Sequence, residues 1–184
     1  MKKVIVFIGI ICFMNILFGQ VTTLFFSDFE DDDHGWTIVN GTAINRWFVG
    51  SAATHGSGNA IYVSRNSGVN HIYDENRYSI VHFYRDVFIP ANTHHFVLNF
   101  DLVCQGQGAF DYLRVSLIDP SITPVAIGTN VNPNIHVATN ENSMFYHNHI
   151  GLSHYSGLGW GWNNINIIEE DIAVGVTKRL VFRN

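Results

Sequence analysis

The sequence predicts an all-β protein of two packed antiparallel sheets, and three observations lead there. Apolar residues recur with a period of two, as in Phe96-Val97-Leu98-Asn99-Phe100-Asp101-Leu102 and Tyr112-Leu113-Arg114-Val115-Ser116-Leu117-Ile118, which is the pattern of a strand with one buried face. Such runs are short, rich in β-branched and aromatic residues, and bounded by Gly, Asn, Asp or Pro. No stretch of about ten residues carries the 3.6-residue period of an amphipathic helix. Many strands at fairly regular spacing, with turn signals between them, build a sandwich.

In chain order, Leu24 to Phe29 is an aromatic run stopped by acidic residues, and Trp36 to Val39 is stopped by Asn40-Gly41. Arg46 to Gly50 and Ala60 to Ser64 flank the turn Thr54-His55-Gly56-Ser57-Gly58-Asn59. His82 to Ile89 ends at Pro90, the Phe96 and Tyr112 runs follow, and Ile165 to Ile168 and Lys178 to Phe182 close the set. Pro120 to Gly161, rich in Asn, His, Ser and Gly, reads as long loops of the kind that carry function.

The ends and the cysteines bound the compartment. Lys2 and Lys3 precede an apolar stretch, Val4 to Phe18, and then small Gly19. This is the order of a secretory signal, too short for a membrane span of about 20 residues, with cleavage expected after Gly19. A retained anchor helix is the alternative, since Leu17 is a poor residue for a cleavage site. One domain, residues 20–184, then remains. Cys12 leaves with the signal, so Cys104 stands alone and an intramolecular disulfide is excluded. The exported domain must stand on its core or on a bound metal.

Composition narrows the function. The chain is 47% hydrophobic and 14% aromatic with only 14% charged residues, enough for a core. A formal net charge of -5 and the lack of any Lys/Arg-rich run remove the electrostatic footprint of a nucleic-acid binder.

The first chemical constellation is Asp28-Phe29-Glu30 with Asp31, Asp32 and Asp33 after it. In a strand, Asp28 and Glu30 share one face, and two carboxylates on one face attract a cation. Ca²⁺ takes six to eight oxygen ligands, which the cluster and the Gly-Ser-Gly-Asn turn would supply if they meet. The loop spacing is not that of an EF-hand, and a solvated acidic turn is the competing reading.

Asp28-Phe29-Glu30, Gly35-Trp36, Trp47, Gly56-Ser57-Gly58-Asn59-Ala60 and Ile61-Tyr62-Val63-Ser64 follow one another in an order and spacing that resembles the MAM-like, cleaved-adhesin type jelly-roll domains of secreted Bacteroidetes proteins. His82-Phe83-Tyr84-Arg85-Asp86-Val87, Leu98-Asn99-Phe100-Asp101 and Phe110-Asp111-Tyr112-Leu113-Arg114-Val115 fit its middle, so the likeness runs from about Phe25 to the C-terminus. The resemblance implies a non-catalytic jelly-roll sandwich that binds proteins or glycans, with structural Ca²⁺ held by Asp28, Glu30 and Asn59 and the Ser57 backbone as a further donor. It also implies a closing strand with an Asp-Asn pair beyond Asn184. The chain therefore reads as truncated, short of one metal carboxylate and open at a sheet edge that would recruit another strand.

Catalytic readings find less. The ten histidines are scattered; His147, His149 and His154 lack HExxH spacing and an accompanying Cys, and His94-His95 straddles two faces of a strand. No G-x-S-x-G occurs, and Gly157-Leu158-Gly159-Trp160-Gly161-Trp162 is no phosphate loop. Asp101 and Asp111 are conceivable paired acids for a glycosidase. Trp160 and Trp162, alternating with glycines in an expected loop, are candidates to stack on sugars or anchor a partner, and Asp111 is a further candidate ligand-binding residue. Trp36 and Trp47 are expected in the core. A secreted, non-catalytic adhesion module for a protein or glycan leads. Behind it stand a carbohydrate-binding accessory module of a polysaccharide-degrading system and a jelly-roll hydrolase.

Overall fold

The computed structural model describes residues 21–31, 34–53, 56–104, 112–128, 149–152 and 155–184, and for Trp160 the main chain alone. The expected signal segment, residues 1–19, lies outside them. The described residues contain eight strands and no helix. The strands are β1 (Thr37–Val39), β2 (Arg46–Gly50), β3 (Ala60–Ser64), β4 (His82–Ile89), β5 (Phe96–Cys104), β6 (Arg114–Ile118), β7 (Gly159–Glu169) and β8 (Val176–Arg183). Every pairing is antiparallel, in a four-stranded sheet ordered β1-β4-β8-β6 and two ribbons, β2-β3 and β5-β7.

The period-two pattern decides what each face does. Across β4, β8 and β6 the register aligns Phe83 with Phe182 and Val115, and Leu180 with Leu117. These residues, with Val87 and Ile89, are buried and face a single apolar cluster. Trp47 of β2, Phe96 and Leu98 of β5 and Ile167 of β7 join the same cluster, so all three sheets share one core. Aromatic rings form its centre: Phe83 and Phe182 stack at 4.6 Å, Trp47 meets Phe83 edge-on at 4.9 Å, and Phe100 meets Phe182 edge-on at 5.3 Å. Burying each such side chain stabilises the fold by about 1.5–3 kcal/mol, and ring pairs add about 0.5–1.5 kcal/mol.

The other face of the four-stranded sheet aligns Tyr84 with Val181 and Ser116, and Asp86 with Arg179 and Ile118. Arg179 grips Asp86 through Nε to Oδ1 at 2.7 Å and Nη2 to Oδ2 at 2.9 Å. Its Nη1 donates to the Ile122 carbonyl at 2.8 Å, and its plane lies over the Tyr84 ring at 4.3 Å. The Asp86 hydrogen bond holds the Arg179 pKa above its ordinary value despite burial.

Two elements differ from expectation. Leu24 to Phe29 is not a strand, because Phe29 turns into the left-handed region at φ 64° and breaks the extended chain. The segment docks by its rings instead: Phe25 meets Trp36 edge-on at 5.9 Å, and Trp36 Nε1 donates to Ser27 Oγ at 3.1 Å. Strand β7 begins at Gly159, six residues earlier than expected, and places Trp160 and Trp162 in a strand, at a bulge in its pairing with β5 between Leu102 and Cys104. β8 is a central strand, hydrogen-bonded to β4 on one side and β6 on the other, so the sheet is bounded by β1 and β6. A bridge from His149 to Ser116 continues beyond β6.

Candidate functional site

The acidic N-terminal cluster and the Gly-Ser-Gly-Asn turn do meet. Asp28 Oδ1 accepts the Glu30 amide at 3.2 Å, a local turn that accompanies the left-handed Phe29 between them. Glu30 Oε1 then accepts the Asn59 amide at 2.5 Å, across 29 residues of chain. Asn59 Nδ2 donates back to the Phe29 carbonyl at 3.2 Å and to Glu30 Oε2 at 3.4 Å. Close approach of the carboxylate depends on Gly58: at φ +97° only glycine sits without strain, and a Cβ there would overlap Glu30 Oε1.

This junction ties the strandless segment before β1 to the connection between β2 and β3. Asp28 and Glu30 are exposed, and Asn59 is half-buried. The strand alternation expected to put both carboxylates on one face is absent: Asp28 turns onto the Glu30 amide, and the Glu30 carboxylate onto Asn59. Asn59 donates from its amide nitrogen and so orients the Glu30 carboxylate. Among the described residues no three Asp, Glu, His or Cys side chains converge on one point. The oxygen donors at the junction are the two carboxylates and backbone carbonyls, hard ligands suited to Ca²⁺ and not to a thiophilic metal. Arg85 supports the same segment from β4, its guanidinium lying 4.4 Å from the Phe25 ring and 5.3 Å from that of Trp36. Burial lowers its pKa from the ordinary value.

A second surface is the outward face of the β5-β7 ribbon. Alternation sends Phe96 and Leu98 of β5 and Ile167 of β7 to the core, and leaves Val97, Asn99, Asp101, Trp162, Asn164, Asn166 and Ile168 exposed. The register places Val97 opposite Ile168, Asn99 opposite Asn166 and Asp101 opposite Asn164. Asn164 Nδ2 donates to Asp101 Oδ1 at 2.9 Å, and one step beyond β7 Glu170 lies 4.0 Å from the His95 imidazole.

The remaining expectations sort as follows. Trp162 is 37% exposed, as a binding residue must be, whereas the Trp160 side chain and Asp111 lie outside the described residues. Trp47 is buried and Trp36 half-buried, both packed into the core. Asp101 stands on an open strand face beside an amide. His147 and His154 lie outside the described residues, and His149 sits at the bridge to Ser116. Cys104 is half-buried, its thiol donating to the Tyr155 carbonyl at 3.2 Å.

Two structural asparagines were not foreseen. Asn40 clamps Trp47 through its main-chain N–H (2.7 Å) and C=O (2.9 Å). Asn45, 4% exposed, accepts from the Asp74 amide at 2.7 Å and donates to the Asp74 and Arg77 carbonyls. Asn40-Gly41 is a turn signal in the sequence, but nothing in it names the strand that the amide grips. No helix among the described residues is long and apolar enough to cross a membrane. No known protein family, curated protein or solved structure matches the chain.

Proposed function

We propose that the chain is an exported, non-catalytic adhesion module of jelly-roll type that binds an extracellular protein or glycan and is stabilised by Ca²⁺ at the Asp28–Glu30 junction. The observation that carries the reading is the Glu30–Asn59 contact, which joins an acidic loop to the glycine turn 29 residues away. One antiparallel core shared by three sheets supports the sandwich, and an open ladder of amides and an aromatic residue supports recognition at a surface. Asp28 and Glu30 would hold the ion with backbone carbonyls, Glu30 already being oriented by Asn59. The cation would neutralise the repulsion among Asp28, Glu30 and Asp31 and lock the segment before β1 against the β2-β3 connection.

Metal that binds only the folded chain stabilises it by RT ln(1 + [L]/Kd), about 2.7 kcal/mol at a hundredfold excess over Kd. For a chain of this length that corresponds to ~5–10 °C in Tm. Thermal unfolding in calcium and in chelator tests the reading. The expected rise in calcium disappears in Asp28→Ala and in Glu30→Ala, and an identical Tm in both buffers sinks the calcium claim.

A further inference from the structure

We infer that the outward face of β5-β7 is a binding site for a neutral oligosaccharide, with Trp162 as the stacking platform and Asn99, Asn166, Asp101 and Asn164 as its hydrogen-bonding rungs. The inference rests on the reading of the chain as a binding module and assigns that module's ligand class and surface.

Four features of the face select this ligand. First, the rungs are paired in register, Asn99 with Asn166 and Asp101 with Asn164, so donors and acceptors lie side by side across the ribbon. A pyranose offers adjacent hydroxyls, each both donor and acceptor, which side-by-side amides and a carboxylate can match two at a time. Second, no Lys or Arg occurs at the outward positions of either strand, from His95 to Asp101 and from Trp162 to Glu170. With Asp101 and Glu170 there, a phosphate or sulfate polymer is disfavoured. Third, Trp162 is 37% exposed two residues before Asn164, at the bulge that ends the regular ladder, where a ring can cover the apolar C–H face of a sugar. Fourth, the rungs stand on paired strands, so their spacing is fixed before a ligand arrives and little ordering cost remains. Successive outward residues are about 7 Å apart, and Trp162 to Ile168 covers about 20 Å, which is room for a short oligosaccharide laid along the ribbon. Val97 and Ile168, 50% and 58% exposed, form an apolar rung at the far end that suits a second sugar face.

The test is titration of the purified chain with neutral hexasaccharides of β-glucan, xylan, mannan and chitin type, read by tryptophan fluorescence and calorimetry. At least one is expected to bind, with affinity reduced about tenfold or more in Trp162→Ala. The double variant Asn99→Ala/Asn166→Ala, exposed on the same face and remote from the Trp162 ring, is expected to weaken the same ligand while keeping the parent's cooperative melt. Binding that is untouched in both variants, or no binding by a cooperatively folded chain, overturns the assignment. A folded, calcium-stabilised chain that binds none of the sugars leaves the adhesion module to a protein partner and removes only this inference. Sugar binding without a calcium-dependent Tm keeps this site and removes the calcium claim.

Discussion

At the residue scale the strongest single tie is Arg179, which holds Asp86 through two parallel hydrogen bonds, caps the Ile122 carbonyl and covers Tyr84. Lysine cannot reproduce that fork. Arg179→Lys is therefore expected to lower stability by about 2 kcal/mol in denaturant unfolding, and Arg179→Ala by more. The same loop contains a pH-sensitive group. The Ser121 hydroxyl, at 2.6 Å, and then the Ser121 amide, at 2.8 Å, hold the Asp119 carboxyl below its ordinary pKa. A depressed carboxyl favours the fold above its unfolded pKa of about 3.9, and that contribution is lost as pH falls through the folded value. A carboxyl NMR titration should find Asp119 titrating below the ordinary aspartate value, and Ser121→Ala should move it back up. An Asp119 that titrates at the ordinary value would remove the turn's acid sensitivity.

At the element scale, strands β1 to β6 and β8 were legible because short alternating or β-branched and aromatic runs are bounded by Gly, Asn, Asp or Pro. Leu24 to Phe29 is as rich in aromatics but has no strand partner, and Asp28 folds back on the Glu30 amide instead. The start of β7 reads as a loop because glycines and asparagines dominate Gly157 to Asn164, and only pairing with β5 makes it extended. The alternation of Asn164, Ile165, Asn166 and Ile167 does mark an outward amide face, yet the residues opposite it belong to a strand about 60 positions away. The Glu30–Asn59 junction is legible as two motifs and not as a contact, since Gly58 reveals its role only when the Glu30 carboxylate is seen against it. Gly58→Ala meets both the strained backbone, at about 1–3 kcal/mol, and the carboxylate, whereas Gly56→Ala, with nothing within 4 Å, meets strain alone. The Gly58 variant is thus expected to melt lower than the Gly56 variant and to lose the calcium response that the Gly56 variant keeps. Equal responses in the two would place the cation away from Glu30.

At the scale of the whole molecule, strand order is what the sequence leaves open, because alternation tells each strand which face to bury and not which neighbour to take. The final strand illustrates this: β8 is legible as a strand, and its place between β4 and β6 is not. That position makes Phe182 the ring on which the layers converge. It stacks on Phe83 of β4, meets Phe100 of β5 edge-on, and touches Trp36 at 5.7 Å ahead of β1, while Phe83 carries the contact on to Trp47 of β2. Removing it leaves a void bordered by the four-stranded sheet and β5, which neither can close without shifting the other. Phe182→Ala is therefore expected to cost about 3–5 kcal/mol, a large share of the roughly 5–15 kcal/mol that holds a typical domain together. The near-UV signal of the buried tryptophans and the far-UV signal of the sheets should then fall in one transition at lower denaturant. Two separated transitions would mean that the ribbons and the sheet keep independent cores.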